Sequence, residues 1–236
     1  YTGVLPVDGE VLSEWDLGDL TAVCEIDHAI PPVAEFPGGE TSAAAHWADW
    51  RDTCLASYAA KRNDALQETA VSRLSPYLRH GMIAATRLAR EAAAKGGKGP
   101  EKFLDELLIW REMSWSYAFY DPDHDSTAVL PSWARETLNR RTIDHRPALY
   151  NWEDLARGDT DDALWNAAQH AYLRRGYLHN NLRMTWGKAL LTWTPGPERC
   201  ADLLVDLNNR YSLDGGDPNS YQGLFWCLGA FDRPFE

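Results

Sequence analysis

The chain has 236 residues, 11 of them Trp, with a formal net charge of −12 and four cysteines. Its length suits one substantial core or two small domains, and the lack of an apolar run near the roughly 20 residues of a membrane span argues for a soluble globular protein. Taken alone, the charge excludes a polyanionic partner, because nucleic-acid binders present basic surfaces. Its distribution lifts that exclusion: residues 1 to 40 carry nine acids and no Lys or Arg, so the other 196 residues hold 23 basic and 26 acidic side chains. A body this close to neutral has room for a local basic face, with Arg73, Arg79, Arg87, Arg90, Arg174, Arg175 and Lys188 as candidates.

The opening Tyr1-Thr-Gly-Val-Leu-Pro6 has no initiator Met, no basic start and no apolar stretch, so it reads as a fragment or a processed product without a signal peptide. Residues 1–40 read as an acidic linker rich in Pro and Gly, with little regular structure. From Thr41 onward the helical period takes over, entered at Gly38-Gly39 and carried by Trp47, Trp50, Cys54, Leu55 and Tyr58. Further helices are expected near 76–94, 100–118, 132–140, 161–175, 177–193, 197–210 and 219–229, with breaks at Lys95-Gly-Gly-Lys-Gly-Pro100 and Tyr120-Asp-Pro-Asp-His-Asp125. No strand pattern competes, so residues 41–236 are expected to form one all-α domain. Cys24, Cys54, Cys200 and Cys227 show neither paired ligand spacing nor a disulfide framework, which predicts reduced thiols in a cytosolic protein and no metal site.

Three patterns carry chemistry. In Ser72-Arg-Leu-Ser-Pro-Tyr-Leu78, Ser75 is a natural N-cap and Pro76 suits the first helical position, so this helix start offers free N–H groups and two hydroxyls to an anion. Glu106 and Trp110 lie four residues apart and are expected to share one helix face. Trp186 and Trp193 lie seven apart, two turns, so they line one face within about 20°. Indole is easily oxidised by one electron and stacks on nucleobases, so the tryptophans suit an electron conductor or a base platform, and equally the filling of a helical core.

In this order, Ser72 to Leu78, Glu106-Leu-Leu-Ile-Trp-Arg-Glu112, Leu164-Trp-Asn-Ala-Ala-Gln169 and His179-Asn-Asn-Leu-Arg-Met184 resemble the flavin-binding half of the photolyase and cryptochrome family. Trp186 to Trp193 and Leu207-Asn-Asn-Arg-Tyr-Ser-Leu-Asp-Gly-Gly-Asp-Pro-Asn219 look most like class II cyclobutane pyrimidine dimer photolyases. The likeness covers about residues 41 to 233. It departs at Asn180, where class II chains usually have Gly, and at Arg79-His80 in place of His-Phe.

The resemblance implies an all-α FAD domain, with FAD phosphates at Ser72, Leu74 and Ser75 and Tyr58 as a further phosphate partner. It implies an Arg183–Asp214 salt bridge beside the flavin, with the Asn208 amide facing N5 and accepting its proton. Glu106, in a hydrogen-bonded or partly protonated state, would contact the thymine dimer, with Trp110 packed against it, Trp226 on the opposite wall and Arg233 near the damaged strand. Trp165, Trp186 and Trp193 would pass electrons from the surface to the photoexcited flavin. The implied activity is electron transfer from excited FADH⁻ to a cyclobutane dimer flipped out of DNA. A cryptochrome-like sensor that keeps FAD and the relay is the alternative, and a flavin module without either role is a third. The family's N-terminal α/β antenna domain is missing here and is expected upstream in a longer chain, so no antenna pigment is expected in this one. The chain ends at Phe235-Glu236, where class II sequences continue into a basic, aromatic tail. A monomer is expected, cytoplasmic or, in a eukaryote, nuclear.

Overall fold

A computed structural model describes residues 17–234. It separates into two compact units at Pro32/Val33. In the first, the stretch expected to be irregular holds one helix, α1 (Leu17–Ala22), favoured by the strong helix formers Leu and Ala. The remainder of the linker reading, residues 1–16, lies outside the described residues, as does Phe235-Glu236.

The second unit is helical throughout, and no strand occurs among the described residues. In its first half α2 (Glu40–Thr53), α3 (Tyr58–Lys61), α4 (Ser75–Arg79), α5 (Ala85–Lys95) and α6 (Lys98–Asp105) enclose a core of Trp47, Trp50, Leu55, Tyr77, Leu88 and Phe103. Large rings fill this core and their polar edges are paired. Trp47 stacks on Phe103 at 5.4 Å and donates to Glu91 (2.8 Å), while Trp50 donates to the Thr69 carbonyl (2.9 Å). The helix expected at 76–94 is two helices, because Gly81 takes a left-handed conformation (φ 69°) that turns the chain between α4 and α5.

In the second half α8 (Ser132–Arg140), α9 (Trp152–Arg157), α10 (Ala163–Arg175), α11 (Asn180–Thr192), α12 (Pro197–Tyr211) and α13 (Pro218–Trp226) surround Leu155, Trp165, Tyr172, Trp186, Leu204 and Phe225. Their ends sit on side-chain caps. Asp162 accepts from the N–H groups of Leu164 and Trp165, and Asp217 accepts from that of Asn219. The helical period expected to run from Thr41 through Tyr58 breaks after Thr53 at the tighter Leu55–Ser57 turn, and Tyr58 opens the separate single turn α3. The short α9 has no expected counterpart, since a segment this short shows no measurable period.

Lys98–Tyr120 runs as one rod in which α6 passes through a π-helical turn, Glu106–Trp110, into α7 (Arg111–Tyr120). Its position depends on Gly99. A Cβ there would stand 2.1 Å from the Leu55 carbonyl oxygen and 2.6 Å from that of Ala56, and both are backbone atoms that cannot swing aside. Gly99→Ala is therefore expected to push α6 off the Leu55–Ser57 turn and cost about 1–3 kcal/mol. At about 2–4 °C per kcal/mol for a chain of this size, a thermal melt reads this directly, and an unchanged midpoint would refute the close approach.

No helix among the described residues is long and apolar enough to cross a membrane.

Candidate functional site

The two apolar cores meet along a polar seam. His179 Nε2 donates to the Arg62 carbonyl (2.9 Å), which leaves its Nδ1 to accept from the Asn181 N–H (3.2 Å). Asn181 Nδ2 donates to the Asn63 carbonyl (2.8 Å), and Arg79 Nε to that of Gly215 (3.4 Å). Across α7 and α13, the Ser114 hydroxyl lies within hydrogen-bond reach of the side-chain oxygens of Gln222 and Asn219, and Arg111 reaches Asp217 at 3.4 Å. Asp217 is 3% exposed, and burial raises its pKa above the usual carboxylate range even with Arg111 opposing. Polar groups cannot close a seam as tightly as apolar cores, and a cavity of about 510 Å³ opens within it, in the range of small-molecule sites.

One wall of the cavity comes from Tyr58, Arg62, Lys102, Glu106 and Trp110, the other from Asn180, Arg183, Met184, Gln222 and Trp226. Glu106 and Trp110 do share this wall, but through the π-helical turn and not the expected α-helical register. Such turns interrupt the ordinary ladder and recur at functional sites. Glu106 is held by two cations, Arg62 Nη1 at 3.0 Å and Lys102 Nζ at 2.8 Å. Tyr58 is 9% exposed, and burial pushes its phenol pKa up, with Glu106 adding to the effect.

Several expected placements differ. Trp110 and Trp226 belong to the two walls, but the space does not separate them. Their rings touch at 5.4 Å, because the α7–α13 contacts at Ser114 and Arg111 draw both to the same rim. No ion pair joins Arg183 to Asp214 among the described residues: Asp214 accepts from Ser212 Oγ, while Arg183 lines the cavity with its Nε buried and without a partner. Asn208 is fully buried and does not line the cavity. Its carbonyl oxygen already accepts from Tyr172 (2.8 Å) and Ser220 (3.0 Å), which uses both lone pairs. Ser75 is not the N-cap of α4. Leu74 is, with no side-chain cap, because the helix starts one residue earlier than its Pro suggests. Arg233 is exposed and lies off the cavity.

Arg73, between Ser72 and Leu74, carries a signal that the sequence offered only as positive charge. Its backbone is left-handed (φ 52°), unusual for a residue with a Cβ, and its guanidinium lies over Phe36 (5.3 Å) and Tyr177 (4.7 Å) with Nε buried and unpartnered. Burial and the neighbouring Arg175 hold its pKa below the ordinary arginine value. Gln222 was also missed: its Nε2 is a second buried donor without a partner at the large cavity. Orphaned donors of this kind are costly unless a ligand meets them, so the residues present fit an anionic, aromatic cofactor such as a flavin dinucleotide.

Leading away from the cavity, three indoles stand in ring contact. Trp186, three residues beyond Arg183 on α11, stacks on Trp165 of α10 at 6.0 Å and 6°. Trp165 meets Trp193 edge to face at 5.3 Å. Each inner ring is fixed by its N–H: Trp186 donates to Gln169 (3.0 Å) and Trp165 to the Trp186 carbonyl (3.0 Å). Exposure rises along the row from 1% at Trp186 through 3% at Trp165 to 8% at Trp193.

No family model matches the chain. It is 38% identical over 198 residues to a deoxyribodipyrimidine photo-lyase of Methanothermobacter thermautotrophicus, covering 84% of this chain and 44% of that protein. An Oryza sativa protein of the same name is 36% identical over 242 residues, covering 99% of the chain and 48% of the relative, and one from Arabidopsis thaliana is 39% identical over 186 residues, covering 77% and 38%. The chain thus spans less than half the length of these curated relatives. A class III photolyase crystal structure from Agrobacterium tumefaciens shares the fold, with a TM-score of 0.70 at 17% identity over 92% of this chain and 43% of that one.

Proposed function

We propose that this chain, which belongs to the photolyase family, is the FAD-binding catalytic part of a light-driven enzyme that splits cyclobutane pyrimidine dimers in DNA. Within the family we place it with class II. The observation that carries the reading is the row Trp186, Trp165, Trp193, which starts on the helix that lines the cavity and ends at its most exposed member. A core needs large aromatics, but it does not need them in ring-to-ring order toward solvent. The class II placement is supported by the sequence spacing of these three indoles and by the stretch from Leu207 to Asn219.

When bound, FAD supplies the blue-light-absorbing one-electron donor. The chain's side chains do the rest. Arg183 and Gln222 bring buried donors to the cavity, and Tyr58 stands on its wall. Ser72, Leu74 and Ser75 are not among its lining residues, and their assignment to the phosphates, with Arg73 between them, rests on the sequence resemblance. Glu106, steadied by Arg62 and Lys102, accepts from the N–H edge of a flipped pyrimidine. Trp110 and Trp226 offer that base a stacking surface. Trp193, Trp165 and Trp186 conduct electrons inward to restore the reduced cofactor. The protein works as a monomer on DNA that carries ultraviolet lesions.

Grouping Glu106, Trp110 and Trp226 at one cavity favours repair over a light sensor, which has no use for a lesion clamp. The test is to titrate the purified chain with FAD, illuminate it with blue light in the presence of a thiol, and add an oligonucleotide containing one thymine dimer. Stoichiometric, light-reducible flavin and loss of the dimer are expected. Absence of flavin uptake overturns the reading, and reducible flavin without repair puts the sensor ahead.

A further inference from the structure

Lys102 lines the cavity, although neither spacing nor resemblance singles it out. It lies on α6 one turn before Glu106, and its ammonium is shared between two carboxylates, Glu106 Oε1 at 2.8 Å and Asp105 Oδ2. Arg62 Nη1 reaches the same Glu106 oxygen at 3.0 Å. Two charged donors occupy both lone pairs of Oε1, so Oε2 is the oxygen left open, with no protein hydrogen bond among the described residues. Asp105 connects this charge to the stacking side of the cavity. Lys102, and after it the side chain of Trp110, hold the Asp105 carboxyl below the usual carboxylate range by hydrogen bonding. Burial works against the charge of Lys102, but Asp105 and Glu106 outweigh it and raise its pKa, so the ammonium persists at neutral pH.

We propose that Lys102 is a positioning residue for damage recognition: bonded to Glu106 directly and to Trp110 by way of Asp105, it couples the acceptor edge and the stacking face of the cavity into one unit. The inference rests on the lesion clamp assigned above. A lysine that only attracted the DNA backbone would hold a free ammonium. Here Arg62 and Lys102 face Asp105 and Glu106, two positive against two negative charges, so the group as a whole exerts no net pull on a phosphate. Its effect is to remove freedom before the substrate arrives. Long charged side chains lose rotamer entropy when they are ordered, and a carboxylate already turned with one oxygen open spares the incoming base that cost. Without the ammonium, Asp105 and Glu106 become neighbouring like charges that repel, and Glu106 is left to turn about its single contact with Arg62. Asp105 then leaves the place where Trp110 meets it, so edge and face loosen together.

The quantity that tests this is the ratio of affinities for a single-stranded oligonucleotide with one thymine dimer and for the same strand undamaged, measured by fluorescence anisotropy on the FAD-loaded 236-residue chain. Lys102→Met keeps the stem and removes the ammonium, and is expected to lower the ratio by about tenfold, the size of one coupled contact. Lys102→Arg, whose guanidinium can bridge two carboxylates, is expected to restore most of it. Flavin content reports that the cavity is intact in each variant. Coupling is read from a cycle of Glu106→Gln with Trp110→Phe, the second of which keeps a ring and removes the N–H that meets Asp105. With Lys102 present, the two changes together are expected to cost less than their sum by about threefold or more, and with Lys102→Met they are expected to add within about twofold. Additive effects in the presence of Lys102 overturn the proposal, as does an unchanged ratio in Lys102→Met. An equal fall for both strands, with a salt dependence shallower by about one charge, also overturns it and marks Lys102 as a phosphate contact. If the chain with Lys102 in place binds both strands alike, the clamp itself has failed, and this role fails with it.

Discussion

Trp165→Phe is expected to reduce light-driven reduction of bound flavin by about tenfold or more, the equivalent of at least about 1.4 kcal/mol in effective barrier. Trp165 is the ring that touches both Trp186 and Trp193, and no direct ring contact joins those two among the described residues. Phe keeps most of the apolar bulk at this 3%-exposed position, so the stability cost is the lost hydrogen bond to the Trp186 carbonyl plus a small cavity, on the order of 1–3 kcal/mol together. Flavin content and helicity should therefore survive. Trp186→Phe and Trp193→Phe should interrupt the row at its two ends with the same signature. All three variants, given chemically reduced flavin, are expected to repair a dimer at the wild-type rate, which separates conduction from catalysis. Undiminished photoreduction in all three would return these indoles to core filling.

What the sequence revealed of this row, and what it hid, follows from the range of each interaction. Helical period and capping residues act within a few positions, so α8, α12 and α13 lie close to where the period puts them. Spacing put Trp186 and Trp193 on one helix face, whereas α11 ends at Thr192 and Trp193 is its C-terminal cap. That Trp165 stands between them is a contact between α10 and α11, and no local pattern encodes it. The π-helical turn at Glu106–Trp110 was illegible for the same reason, since Glu-Leu-Leu-Ile-Trp is an ordinary helical string whose extra residue per turn is imposed by packing.

The site residues that stand apart from their expected places are polar groups already taken by partners that the sequence does not single out. Asn208 looked free to face a ligand, but Ser220 and Tyr172 claim its carbonyl from two other helices. Arg183 and Asp214 were paired by resemblance, while here a serine two residues away takes Asp214. Gln222 gave no signal at all, because a glutamine in a helix is unremarkable until its Nε2 is seen buried without a partner. A left-handed arginine such as Arg73 is equally silent in sequence, where its Cβ argues against the conformation it adopts.

Trp226→Ala should weaken binding of dimer-containing single-stranded DNA by roughly tenfold or more, since stacking of one base on an aromatic is worth about 1–3 kcal/mol. The indole is half-buried at the cavity rim and rests on Trp110 at 5.4 Å, so its removal takes away one of two adjoining π faces and leaves the second without support. Glu106→Gln probes the other half of the clamp. It keeps the size and one acceptor oxygen but gives up the charge held between Arg62 and Lys102. These three side chains are each about 30% exposed, so the ion pairs themselves add little stability and the fold should persist. A hydrogen bond to a charged group is worth about 1.5–3 kcal/mol, so repair under limiting substrate should fall by roughly tenfold to a hundredfold. The flavin spectrum should stay as in wild type in both. Equal affinity of the wild-type chain for damaged and undamaged strands, measured by fluorescence anisotropy, would remove the clamp and leave Glu106 as a charge that holds α6 against α3.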